Sequence, residues 1–166
     1  MVVLKKSVLL SGVVVLLFLI VLSFQLNRFK VYENVQDFFD DNYSYKVSVE
    51  AVIYGDDSCL VYYKTGIDSY SYYYFRTLPN GYKLLKNSSY KKVFDKFDSE
   101  GSIEVYHLNE TDDYYLMAVA DPNAKDICLY SDNDNEIKLD VTQIKNTNFY
   151  CAFIDDFPEN ACFAIG

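Results

Sequence analysis

Four cysteines, one histidine and a few adjacent carboxylates are the residues of this 166-residue chain whose types lend themselves to chemistry. The cysteines stand at Cys59, Cys128, Cys151 and Cys162. An even count in an oxidising compartment suggests disulfides, and four thiols allow three pairings. Cys151 and Cys162 flank the turn Asp155-Asp156-Phe157-Pro158, so a hairpin would set them face to face and leave Cys59 with Cys128. The competing reading is four buried thiols acting as small hydrophobes. CxxC spacing is absent, so no zinc site is expected, nor any other metal or cofactor. Asp112-Asp113 and Asp155-Asp156 are adjacent acids near strand ends, and two carboxylates flanking a cleft can hydrolyse a glycosidic bond. Adjacent acids in turns are ordinarily solvated, so a surface enzyme acting on a glycan is the alternative reading. Asp132-Asn133-Asp134-Asn135-Glu136 offers oxygen ligands, but the sixth and twelfth positions of a calcium loop hold Ile137 and Gln143 instead of Gly and Glu.

His107 followed by Cys151 resembles the order of catalytic residues in sortase-like transpeptidases. Those enzymes need a cation after the cysteine to stabilise the oxyanion. No Lys or Arg follows Cys151, and Asn146-Thr147-Asn148-Phe149-Tyr150 lacks the family's Thr-Leu-x-Thr run. His107 therefore reads as an ordinary strand histidine. Asn42, Asn87 and Asn109 each open a glycosylation acceptor pattern.

Tyrosine is the conspicuous residue: there are 17, with no Trp. In the segment Tyr70 to Leu78, strand alternation puts Tyr70, Tyr72 and Tyr74 on one face, with Tyr73 and Phe75 on the other. One face must be core. The Tyr70–Tyr72–Tyr74 face is the candidate binding surface, because tyrosine gives rigid contact area and a hydroxyl suited to a glycan or a peptide.

The elements that would carry these residues begin with an anchor. Ser7 to Asn27 is a run of 21 uncharged residues, and about 20 suffice to span the hydrocarbon of a bilayer. The run exceeds a signal-peptide core, no A-x-A cleavage pattern follows, and the chain has no Cys before residue 59 for lipid attachment. We expect a transmembrane anchor over 7–27 and a cytoplasmic tail over 1–6. The N-terminus then lies inside and the remainder outside the cell membrane. Lys5 and Lys6 nearly balance Arg28 and Lys30 across the span, so the orientation rests on the short tail and the folded mass beyond. From residue 31 onward 11 Lys+Arg face 24 Asp+Glu, a net −13 that argues against nucleic acid and favours cationic partners.

Leu26, Phe29, Tyr32, Val35 and Phe39 lie on one helical face, which predicts an amphipathic stalk helix over 28–42. Residues 43–166 read as one extracytoplasmic antiparallel β domain, a sandwich or curved sheet. Within it Tyr45, Val47, Val49, Ala51 and Ile53 share a face. Strands are expected over residues 59–64, 70–78, 82–86, 103–108, 114–120, 127–131, 136–141, 148–154 and 161–165. Tyr90, Val93, Phe94 and Phe97 fall at helical spacing and predict a short helix there.

Val61-Tyr62-Tyr63-Lys64, Gly81-Tyr82-Lys83-Leu84 and Tyr114 through Pro122 resemble segments of uncharacterised small membrane-anchored extracytoplasmic domains of bacterial cell surfaces. The resemblance implies a β-rich exported domain and no particular activity. The expected protein is mainly β with an N-terminal helix: a single-pass anchor bearing a non-catalytic binding or docking domain. Its partners are the membrane and a protein or glycan.

Overall fold

The computed structural model describes residues 13–19, 30–66, 69–99, 101–124, 126–130, 136–145, 147–158 and 160–166. The chain divides into two units, residues 1–31 and 32–166. In the first, residues 13–19 are helical (α1) and every side chain there is exposed. Among the described residues no helix is long and apolar enough to cross a membrane. The rest of the predicted 7–27 span lies outside the described residues.

In the second unit a helix, α2, runs Val35–Asn42. Asn34 starts it: its side chain accepts the Asp37 N–H at 3.0 Å while its own N–H donates to the Asp37 carboxylate at 3.2 Å, a reciprocal cap. The predicted helix over 28–42 is thus corrected at its front end. Tyr32 is held extended by two backbone bonds with Tyr82, at 2.9 and 2.7 Å, so the helix cannot begin before the Asn34 cap. Val35, Phe38 and Phe39 are its buried face.

Among the described residues the strands pair antiparallel and form three sheets. Sheet I is a meander of β1 (Ser48–Tyr54), β2 (Ser58–Lys64), β3 (Tyr70–Leu78) and β4 (Gly81–Leu84). A short 3₁₀ turn, Asn87–Ser89, leads to β5 (Tyr90–Asp98), β6 (Gly101–Leu108) and β7 (Tyr114–Ala120). These join β10 (Thr142–Gln143) and β11 (Phe149–Ile154) as sheet II, ordered β10-β11-β7-β6-β5. Sheet III is β12-β8-β9, from β8 (Ile127–Tyr130), β9 (Glu136–Lys138) and β12 (Cys162–Ile165).

Three cores make these elements a stack of α2, sheet I, sheet II and sheet III. Phe38, Phe39, Cys59, Val61 and Phe75 fill the space between α2 and sheet I. Leu60, Tyr62, Tyr74, Leu108, Tyr115 and Cys151 fill that between sheets I and II. Leu116, Ala118, Leu129, Ala152 and Phe163 lie between sheets II and III. Within sheet II the strands β7 and β11 are covered on both faces over most of their length, which is why they read as near-continuous apolar runs.

Two sequence expectations fail here for physical reasons. The shared face from Tyr45 to Ile53 breaks at a register shift between Val49 and Ala51, so Val47 and Val49 meet α2 whereas Ala51 and Ile53 meet sheet II. The expected helix at Tyr90–Phe97 is the edge strand β5. A second shift between Lys92 and Phe94 interrupts its alternation, and the leftover spacing imitates a helix. Gly101 turns β5 into β6 at φ +148°, where a Cβ would sit 2.1 Å from the Val119 carbonyl oxygen, so only glycine fits.

Candidate functional site

The structure keeps Tyr70, Tyr72 and Tyr74 on one face of β3, as the sequence does, but buries them to different degrees. Tyr74 is 1% exposed and lies between sheets I and II, so the predicted Tyr70–Tyr72–Tyr74 platform is corrected to a core residue with two half-buried neighbours. The reason is that both faces of β3 are covered: Tyr73 and Phe75 pack beneath α2, and the opposite face packs on sheet II.

That coverage is incomplete, and the incomplete part is the candidate site. On the side of sheet II that meets sheet I, Leu108, Tyr115 and Cys151 are buried. Farther along the same strands, Tyr106, Glu104, Ser102, Met117 and Val119 are only half-buried, and Phe97 on β5 is 86% exposed. Sheet I ends over this face, and Tyr70 and Tyr72 stand at its margin. Tyr70 lies 5.8 Å from the Tyr62 ring and 6.3 Å from Phe149. Tyr72 contacts Tyr74 at 5.6 Å and Tyr106 at 6.3 Å, and Tyr90 closes the group at 4.8 Å from Tyr74 and 6.0 Å from Tyr106.

The polar groups of this face are few and specific. The Tyr106 hydroxyl donates to the Glu104 carboxylate at 2.8 Å. Burial, and then this carboxylate beside the phenol, raise the Tyr106 pKa. Lys92 reaches Glu104 at 3.1 Å and Asp95 at 2.7 Å. Asp95 and Glu104 are direct cross-strand partners, a like-charge pairing that the lysine offsets. Tyr74 is the anomaly, because its buried hydroxyl has no hydrogen-bond partner among the described residues. Such a group costs about 1–3 kcal/mol. Burial is the main cause of its raised pKa, followed by the neighbouring Tyr72, Tyr106, Cys151 and Tyr90.

Tyr90, Lys92, Phe97, Glu104 and Tyr106 were not legible as site residues. The alternation of Ser102, Glu104, Tyr106 and Leu108 would have put Glu104 and Tyr106 on one face, but nothing local says where a second sheet stops.

The other candidate residues disperse. Asp113 is 4% exposed and accepts from the Ser58 hydroxyl and, at 3.3 Å, from the Asp57 N–H; the Ser58 and Tyr115 hydroxyls are 2.9 Å apart. Gly55 is required beside this network, since a Cβ there would lie 2.6 Å from the Tyr115 oxygen. Asp112 instead faces solvent and pairs with His107 at 2.7 Å, so Asp112 and Asp113 share no cleft. Asp155 and Asp156 do border one, an open cleft of about 330 Å³ with Asp140 on its rim and Leu129, Leu139 and Ile154 below. Among the described residues no three His, Cys, Asp or Glu side chains are placed to hold a metal. Residues 131–135 of the acidic turn lie outside those described.

All four cysteines are free, so the predicted Cys151–Cys162 and Cys59–Cys128 pairs are corrected. Cys151 points from sheet II toward sheet I, whereas Cys162 is exposed on sheet III. Cys59 and Cys128 have all of sheet II between their sheets. Stacked sheets lie about 10 Å apart and a disulfide needs Cα atoms within about 7 Å. Burial pushes the Cys59 and Cys151 thiols up to about 12, and it is the largest of the causes that raise the Tyr62 phenol to about 12. In the unfolded chain thiols ionise near about 8.5 and phenols near about 10. The fold therefore retains protons that the unfolded chain releases. Its stability is whole below about pH 8.5 and declines as pH rises toward about 12. Melting temperatures that fall steadily across that alkaline range are expected; a flat profile would show that these groups ionise freely in the fold.

No protein-family model, curated protein or solved structure matches the chain at a significant level.

Proposed function

We propose that this chain is a single-pass cell-membrane protein, N-terminus inside, whose outer β domain docks a partner without catalysing a reaction. The observation that carries the reading is the open end of sheet II, where Phe97, opposite Ser102, is 86% exposed and lies on the same face as the half-buried Tyr106, against which Tyr72 packs. A solvent-facing aromatic group of this kind is the composition of a contact centre. The anchor draws support from the uncharged run over 7–27, and from α1, where residues 13–19 are apolar on every side and exposed.

Cys162 makes the topology testable, because it is the exposed thiol of the four. A membrane-impermeant maleimide added to intact cells should label the full chain at Cys162, and a Cys162→Ser variant should take up no label. The labelled chain should stay with the membranes through an alkaline carbonate wash. Labelling only after lysis, or release by the wash, would overturn the placement.

A second reading, a glycan-directed enzyme, draws on the Asp140–Asp155–Asp156 cleft. It requires hydrolysis of a cell-surface polysaccharide that Asp155→Asn and Asp156→Asn both abolish.

A further inference from the structure

Resting on the docking face just described, we propose that its partner is a basic peptide segment, seated with an arginine or lysine side chain between Glu104 and the Tyr72–Tyr90–Tyr106 group. Charge on this face is unbalanced. Asp95 and Glu104 oppose each other across β5 and β6 with one lysine, Lys92, between them. One further cation would complete the set. The face already holds its own cations in this manner, since the Lys64 ammonium also lies 5.8 Å from the centre of the Tyr70 ring. Tyrosine faces attract cations through their negative π surface, and guanidinium groups combine stacking with donation to a carboxylate.

Two independent observations point the same way. The Tyr74 ring packs against Tyr72, Tyr90 and Tyr106, and its buried hydroxyl has no acceptor or donor among the described residues. An N–H group brought into the tyrosine group would supply its partner. The outer part of the chain, 11 basic against 24 acidic residues from residue 31 onward, steers cations toward the domain as a whole. Phe97 then meets an apolar residue flanking the basic one. The exposed β5 backbone is a poorer receptor. Its bulge, with Lys91, Lys92 and Lys96 along the strand, discourages addition of another strand.

The test must separate a local site from a diffuse negative field. The probe is a hexa-arginine peptide titrated into the full chain in detergent at moderate salt. Lys92→Met should tighten binding by about fivefold, the size of one exposed ion pair, because it frees Asp95 and Glu104. Lys145→Met makes the same change in net charge at an exposed position near the opposite edge of sheet II and should shift affinity by less than about twofold. Glu104→Gln and Tyr106→Ala should each weaken binding by about three- to fivefold with the melting temperature of Glu104→Gln unchanged. Equal responses to Lys92→Met and Lys145→Met would overturn the proposal, leaving only general charge attraction. An unaltered affinity in Glu104→Gln would overturn it as well. If the peptide result fails while a cross-linker at Phe97 still captures a partner in cells, the docking reading stands and the cationic assignment alone is lost.

Discussion

Tyr74→Ala should lose about 3–5 kcal/mol of stability, whereas Tyr74→Phe should gain about 1 kcal/mol. The ring is 1% exposed at the centre of the layer between sheets I and II, in contact with Tyr72, Tyr90, Tyr106 and Tyr115. Truncation opens a cavity there that two facing sheets cannot close. The phenylalanine variant keeps every ring contact and removes only the unpartnered hydroxyl. For a domain near this size each kcal/mol is worth about 2–4 °C in melting temperature. The alanine variant should melt about 10 °C lower and the phenylalanine variant a few degrees higher. A phenylalanine variant clearly less stable than the parent would mean that the hydroxyl has a partner in solution.

Asp113→Ala carries the second large effect, about 2–4 kcal/mol. Asp113 joins the β6–β7 turn to the β1–β2 turn by accepting from Ser58 and the Asp57 N–H, with Tyr115 alongside. Ser58 and Tyr115 are both 0% exposed, so water cannot replace the lost acceptor without entering the core. Asp113→Asn keeps an acceptor oxygen and should cost about half as much. Urea midpoints should fall in that order with little change in slope, since the surface exposed on unfolding is the same. A loss below about 0.5 kcal/mol in Asp113→Ala would show that the network adds nothing to the joining of the two sheets.

The division of β3 into a Tyr70–Tyr72–Tyr74 face and a Tyr73–Phe75 face was legible in the sequence, because side-chain alternation is a local property. So were the Cys151-bearing strand and the antiparallel character of the whole domain. Three things were not. A register shift such as that at Glu50 is set by how two strands meet, so β1 reads as one alternating face when it has two. The same cause disguised β5 as a helix and hid Lys92 and Phe97 from the site. Last, three apolar-faced sheets and a helix can stack in many orders. Only the order α2, sheet I, sheet II, sheet III decides that Tyr74 is core, that Cys151 and Cys162 point apart, and that the far end of sheet II is left uncovered. Residues 28–42 read as one helix for a related reason: the Tyr32–Tyr82 bridge that delays its start is a long-range contact.

The docking face itself is tested most directly by placing a photo-cross-linking side chain at Phe97 in the full chain, in the cells that make it. Tyr54, exposed on the opposite side of sheet I, serves as the comparison position. A single dominant adduct from position 97, saturable and absent from position 54, is the expected result. Equal adducts from both positions, or none from position 97, would contradict a docking role for the open end of sheet II.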